Sequence, residues 1–488
     1  MAESKPRIII IGAGMAGILA GIKLRSAGIE NFRIYEKASQ IGGTWRENTY
    51  PGLTCDVPSH HYTYSFERNP TWTRHLPPGP EVQAYFVGVF EKYGLADYTC
   101  FNEEAVSARY QEGKWHLTFA SGKNDEATVL IMASGVLHHP KLPDIRGLDS
   151  FEGALFHTAR WDHTVDLSTC RVGVVGNGST GVQIVSALAG NVPALFHFQR
   201  TAQWIMPVEN GHFSEAERSA FEDPETLRAA MNMPEYLASV EAYTQALIDE
   251  SSEGAKSLGD ACRANLEQSV LDPMLRQKLT PSHQPLCKRL IFSPDYYQAI
   301  QHPSAHLVTE SIERIEATGI RTADGVLHEL DVIALATGFD VRAFMRPMTI
   351  TGREGLNLDA LWHDYPKAYY AISMPDMPNL FMLNGPNGPV GNFSLIDISE
   401  HQWNYIWQLM EPILAGDMSE VCCTRDALEA YEEKRSEAAK QTVWFKGGCQ
   451  SWYLDARGIP ASWPWTYGDF TAAMARPDWT QFDTVATG

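Results

Sequence analysis

Apolar residues in this chain gather in short unbroken runs that end at glycine. The first is Ile8–Ile11, inside "RIIIIGAGMAGILAGIKLRSAG". With no polar alternation, it predicts a strand covered on both faces, as in a parallel sheet. A glycine turn and a helical stretch ending near Gly28 follow. "NFRIYEKA" reads as the next strand and completes a strand–helix–strand unit. The same order returns in "CRVGVVGNGSTGVQIVSALAG" and "ALFHFQR". Two further strands, in "TVLIMASG" and "HELDVIALATGFD", each close on a small "ASG" or "ATG" motif. From about residue 209 to 280 the strand signals fade and the pattern turns helical. Beyond residue 340, "PNLFMLNGPNGP" predicts a strand and loop, and "SEHQWNYIWQLMEPILAG" an amphipathic helix. There is no tandem repeat, but there is a coarse duplication of one module.

Each module opens on a glycine fingerprint. In Gly12-x-Gly14-x-x-Gly17 the first glycine allows the tight turn. The second lets backbone approach a pyrophosphate at the helix N-terminus, and the third lets helix and strand pack closely. Glu36 ends the next strand 19 residues after Gly17, where a carboxylate accepts hydrogen bonds from ribose hydroxyls. Gly176-x-Gly178-x-x-Gly181 repeats the arrangement, with Ser179 and Thr180 inside it, and 19 residues beyond stands Arg200, followed by Thr201. A guanidinium there binds a 2′-phosphate that a carboxylate would repel; the alternative is a solvated strand-end charge. An unphosphorylated dinucleotide is therefore expected at the first site and NADP at the second, most economically FAD and NADPH. The expected fold is α/β: two Rossmann-like dinucleotide-binding domains with a helical insertion in the NADP domain. The FAD-binding domain is expected to take residues 1–147 and 340–488, the NADP-binding domain 148–208 and 281–339, and the insertion 209–280.

Charge narrows the partners. The 488 residues carry 39 basic and 59 acidic side chains, a net charge of −20, which argues against nucleic acid and anionic membrane. The stretch 209–280 holds 14 acids and 6 bases, hence −8 of that total. There is no run of 18 apolar residues to span a membrane, and "MAESKPRIIIIGAG" lacks the cleavage region of a secretory leader. Cysteines stand at 55, 100, 170, 262, 287, 422, 423 and 449 with no CxxC or zinc spacing. That reads as reduced, cytoplasmic usage, and it leaves a flavin disulfide reductase without its dithiol. The pairs His60-His61 and His138-His139 lack a metal-binding frame, so no metal is expected. Monomer and homo-oligomer both stay open.

Three more stretches carry candidate chemistry. "GGTWRENTYPGLTCD" brings Gly43 and Thr44 close to a cofactor and offers Trp45 and Tyr50 as flat faces, or as core packing. It ends on Asp56, whose carboxylate needs a cationic partner if buried. "LCKRLIFSPDYY" offers that partner in Lys288-Arg289, although alone it reads as the basic end of a strand in an acidic protein. "FEGALFHTARWD", residues 151–162, lies between the modules as a connector. In it Phe151 and Trp161 anchor the ends and Gly153 permits a turn.

Together these residues resemble the type I Baeyer–Villiger monooxygenases, a branch of the class B flavoprotein monooxygenases. That family's short signature, F-x-G-x-x-x-H-x-x-x-W-[PD], is matched by Phe151, Gly153, His157, Trp161 and Asp162. A second, [AG]-G-x-W-x-x-x-x-[FY]-P-[GM]-x-x-x-D, is matched by Gly42, Gly43, Trp45, Tyr50, Pro51, Gly52 and Asp56. The resemblance implies Arg289, in Lys288-Arg289-Leu290, as the catalytic cation with Asp56 beside it. It implies Lys288, Arg200 and Thr201 as the clamp on the NADP 2′-phosphate, and Trp452 near the nicotinamide nucleotide. It also implies a soluble enzyme that uses FAD, NADPH and O₂ to insert one oxygen next to a ketone carbonyl through a peroxyflavin, giving an ester or lactone. For His157 a positioning or hinge role stands beside a general-base role. Two rival readings are an N- or S-oxygenating flavin monooxygenase and a non-catalytic NADP(H)-sensing flavoprotein.

Overall fold

The computed structural model describes residues 6–487; residues 1–5, which open the stretch read above for a leader, lie outside them, as does residue 488. Two five-stranded parallel sheets organise the chain. The first runs Leu380–Met382, Val129–Met132, Ile8–Ile11, Phe32–Tyr35, Thr99–Cys100. The second runs Ala305–Val308, Ala194–Phe198, Arg171–Val175, Val332–Leu335, Ala154–His157. In both, the fingerprint strand is central. It lies between the second strand of its own unit and the strand that leads to "ASG" or "ATG". Ile10 pairs with Ile34 and Ile131, and Val174 with His197 and Ala334. Ile8, Ile9 and Ile10 are fully buried, as an all-apolar strand covered on both faces must be.

The amphipathic helix expected after residue 390 is Leu395–Ala415. It buries Ile396, Ser399, Trp403, Ile406, Met410 and Ile413 at three- and four-residue spacing and stops at Gly416, whose φ is 84°. Its buried face packs on the first fingerprint helix, Met15–Ser26.

Helices Glu215–Ala220, Pro224–Met231, Met233–Ile248, Glu253–Ser269 and Pro273–Leu279 fill the acidic stretch. Ser214, Asp223, Ser252 and Asp272 cap four of them by accepting a backbone N–H of the first turn. A short parallel pairing of Ile205–Met206 with Ile291–Phe292 brings the two ends of this stretch together. Its helix Met233–Ile248 also meets the C-terminal region: Thr244 Oγ1 accepts from the Tyr467 amide at 3.2 Å, and Glu241 from that of Gly468 at 3.0 Å.

Two expectations are corrected. Most of "FEGALFHTARWD" is not a linker. Ala154–His157 is the edge strand of the second sheet, paired in parallel with Val332–Leu335, and a 3-10 turn, Thr158–Arg160, follows it. Gly153 supplies no left-handed turn. It is needed because a Cβ there would lie 2.4 Å from the Asp331 carbonyl oxygen and 2.6 Å from the Phe151 ring. Nor are all cysteines reduced. Cys287 and Cys449, 162 residues apart, form a disulfide with Cα atoms 6.1 Å apart, and six cysteines are free. A pair so distant leaves no local spacing to read; only the fold-back of the tail brings it together.

Candidate active site

The two glycine turns are built alike. Gly12 and Gly176 have φ of 103° and 108°. A Cβ on them would lie 2.5 Å from the Ala133 carbonyl oxygen and 2.4 Å from that of Ala336. A Cβ on Gly17 would lie 1.9 Å from the Gly12 oxygen, and one on Gly181 2.0 Å from the Gly176 oxygen. The first and third glycines are therefore required by the protein's own backbone. The second glycines differ: Gly14 has no neighbour closer than 3.7 Å to such a Cβ, and Gly178 has none within 4 Å. Gly178 faces open space and Gly14 touches only the Gly43 backbone at ordinary contact distance, and both line a space where backbone can approach a ligand.

That space is a cavity of about 610 Å³ reaching from one turn to the other. Gly12, Gly14, Glu36, Gly43, Thr44 and Trp45 line it from the first module, and Gly178, Ser179 and Thr180 from the second. Asp56, Arg289 and Trp452 complete the predicted residues in its wall. Both ring nitrogens of His138 and the Oδ1 of Asn384 are buried in the same wall without a hydrogen-bond partner. Buried polar atoms of this kind call for a polar ligand.

Glu36 is held from three sides. Its carboxylate accepts from the backbone amides of Ala13 at 2.8 Å and Ala38 at 2.9 Å, and from Arg46 at 3.1 Å. Trp45 donates its indole N–H to the Tyr62 hydroxyl at 3.1 Å, which sets its ring angle. Arg289 donates through Nε and Nη2 to one carboxylate oxygen of Asp56, at 3.1 and 2.6 Å. Their side chains are only 32% and 25% exposed, and both are open to the cavity. The Asp56 charge raises the Arg289 pKa further above its ordinary value, so the guanidinium stays charged.

Tyr50 has a second role. It lines the cavity as the flat-face reading expects, and its hydroxyl also donates to Gln183 at 2.9 Å and accepts from Thr180 at 3.3 Å. A Cβ on Gly52 would lie 2.5 Å from the Gln183 carbonyl oxygen. The "TYPG" turn thus bears on the second fingerprint helix, Ser179–Leu188, and fixes one module against the other.

Gly17, Gly176 and Gly181 pack inside their turns and do not line the cavity. Arg200, Thr201 and Lys288 also lie outside it. Arg200 is exposed and has no ion pair among the described residues. Lys288 is half-buried, and burial, then the Arg200 charge, lowers its pKa. The Thr201 carbonyl accepts from Asn177 Nδ2 at 2.7 Å, which ties this cationic corner to the second turn.

The profile of NAD(P)-binding Rossmann-like domains matches residues 10–76. A Baeyer–Villiger monooxygenase of Streptomyces coelicolor is 34% identical over 489 residues, covering 98% of this chain and 92% of that protein. The chain belongs to the Baeyer–Villiger monooxygenases. An uncharacterized monooxygenase of Mycobacterium tuberculosis is 46% identical over 478 residues, 98% of this chain and 96% of that one. The crystal structure of cyclohexanone monooxygenase from Rhodococcus sp. Phi1 bound to NADP⁺ matches at a TM-score of 0.87 and 27% identity, over 98% of this chain and 99% of that one. No helix among the described residues is long and apolar enough to cross a membrane.

The Baeyer–Villiger short signature stands behind the cavity wall. His157 Nε2 bonds to the Gly338 carbonyl at 2.9 Å, and its Nδ1 accepts from the Ala159 amide at 3.1 Å. The proton therefore sits on Nε2, and neither nitrogen is free to act as a general base. Burial lowers its pKa, which keeps the ring neutral. Gly338 does line the cavity, so the ring props that wall from behind. Trp161 meets Phe156 edge-on at 4.9 Å, Phe151 packs against the core around Ile315, and Asp162 caps the turn at Thr164 with a 2.9 Å bond. Sequence reading missed Tyr453, and it pointed to "NGPNGPVGNFS" as a cofactor- and substrate-lining loop without singling out its Gly391; both lie beside Arg289. Tyr453 left a signal only in its place next to Trp452.

Proposed function

We propose that this Baeyer–Villiger monooxygenase uses FAD and NADPH to insert one oxygen atom of O₂ next to a ketone carbonyl, giving an ester or lactone with NADP⁺ and water. The observation that carries the reading is Arg289, kept charged by Asp56, in the cavity that both glycine turns share. Carbonyl addition turns a neutral substrate oxygen into an anion, and a fixed guanidinium stabilises that charge. Oxygen transfer to an amine or sulfide builds positive charge on the substrate, which the same cation opposes.

The residues present fit both cofactors. Glu36 accepts from ribose hydroxyls of FAD, and Gly14 clears the way for its pyrophosphate beside the Met15–Ser26 helix N-terminus. Gly178, Ser179 and Thr180 do the same for NADPH at the Ser179–Leu188 helix. Arg200 and Lys288, with Thr201, clamp its 2′-phosphate. The NADP⁺ in the Rhodococcus structure supports this assignment. Reduced flavin supplies the activated oxygen. Asp56 aims the Arg289 guanidinium, and the cavity wall, including Trp452, limits water near the reacting atoms. His157 acts as a positioning residue for the Gly338 wall.

The test is a panel of cyclic, linear and aryl ketones with NADPH, scored by NADPH consumption and by product mass raised by one oxygen. Amines and thioethers run alongside; oxygenation of those alone would replace this reading with the N- or S-oxygenase, and no NADPH oxidation in air with the sensing flavoprotein. The Arg289→Ala variant should bind FAD and be reduced by NADPH, yet lose ketone oxygenation by about 10³-fold.

A further inference from the structure

The guanidinium of Arg289 has a second polar neighbour besides Asp56. Its Nε and Nη2 are taken by Asp56. A Cβ built on Gly391 would lie 2.7 Å from the remaining nitrogen, Nη1, and 2.1 Å from the Tyr453 hydroxyl oxygen. Those two groups therefore stand together over Gly391, which is in the left-handed region with φ of 81°. The Tyr453 hydroxyl oxygen and Arg289 Nη1 are therefore near neighbours at the cavity wall. Burial raises the phenol pKa, so the hydroxyl is neutral and presents an oxygen that can accept. The remaining N–H groups of Arg289 are left to the cavity.

Tyr453 is fastened for such a task. It is 3% exposed and lies between Trp452, 4.2 Å away centre to centre, and Trp444, 5.0 Å away. Its carbonyl accepts from the Ala461 amide at 2.7 Å. The Cys287–Cys449 disulfide joins the tail just before Tyr453 to the chain just before Arg289. The two segments are thus tied covalently beside the place where Tyr453 and Arg289 meet.

We propose that Tyr453 is a positioning residue that, with Asp56, sets the orientation of the Arg289 guanidinium toward the substrate oxygen, in a space that Gly391 keeps free of side chain. This rests on the reading of Arg289 given above. Tyr453→Phe removes one oxygen and leaves the Trp–Tyr–Trp packing in place. On the ketone turned over fastest in the panel, Tyr453→Phe should keep its FAD content and its rate of flavin reduction by NADPH. Its ester yield per NADPH should fall about ten-fold, with hydrogen peroxide making up the difference. Its loss and that of Asp56→Asn should not add in the double variant, because either change alone already frees the guanidinium. Gly391→Ala provides an independent perturbation with the same expected uncoupling. Wild-type coupling in Tyr453→Phe, or losses that add with Asp56→Asn, overturns the inference. If instead Arg289→Ala still makes ester, it is the role of Arg289 that fails.

Discussion

The two nucleotide modules share their strands, their turns and the crowding at their glycines, yet they end on opposite charges. At the end of the first, Glu36 is 4% exposed and bound by two backbone amides and Arg46. At the matching place in the second, Arg200 is exposed, and its neighbour Lys288 has its pKa lowered by burial and by Arg200 itself. The first corner is satisfied within the protein. The second gathers like charge, which a polyanion would relieve. The contrast teaches that one backbone can carry opposite charges at the same corner, one compensated within the protein and the other left open to a ligand. The outer strands also differ in origin. Leu380–Met382 reaches the first sheet from the C-terminal part of the chain, whereas Ala154–His157 reaches the second from the segment just before it.

The largest effects should come from the shared glycines. Gly17→Ala and Gly181→Ala each drive a Cβ within about 2 Å of a backbone oxygen, a clash on the order of several kcal/mol. Gly17→Ala should purify without flavin absorbance. Gly181→Ala should stay yellow and lose flavin reduction by NADPH. If both lose flavin, the modules are less separate than their topology indicates.

A smaller effect is expected at the charged corner. Arg200→Ala should raise the KM for NADPH by roughly 10- to 100-fold and leave that for NADH unchanged, as removal of a charge-assisted phosphate contact would. An equal rise for both nucleotides would assign Arg200 to folding rather than to the 2′-phosphate.

The smallest effect should be acid sensitivity at the edge of the second sheet. His157 is neutral in the fold with a lowered pKa, while the unfolded chain takes up the proton near its ordinary value of about 6.5. Its stabilising contribution is therefore complete above that value and is lost as pH falls below it. Melting temperature should fall as pH drops below about 6.5. The drop should shrink in His157→Asn. An unchanged slope would show that other groups set it.

Much of this was legible from local pattern. Ile8–Ile11, the paired glycine turns and the spacing to Glu36 and Arg200 each follow from neighbours within a few dozen residues, where periodicity and sterics act. The acidic helices were legible for the same reason. "FEGALFHTARWD" was misread as a connector because its strand is four residues long and its partner, Val332–Leu335, lies far along the chain. Tyr50 was legible as a cavity face but not as a link between modules, since no local signal shows Thr180 and Gln183 converging on its hydroxyl.

By itself, then, the sequence determined the two nucleotide turns, the charge at the end of each, and the acidic helical stretch, all properties of adjacent or periodically spaced residues. The family resemblance implied Asp56 beside Arg289; tertiary structure alone decided that Gly391 and Tyr453 meet there too. Asp56, Gly391 and Tyr453 come from three distant segments, and Cys449 finds Cys287 across 162 residues. Such meetings depend on how whole layers pack, and no spacing along the chain encodes them.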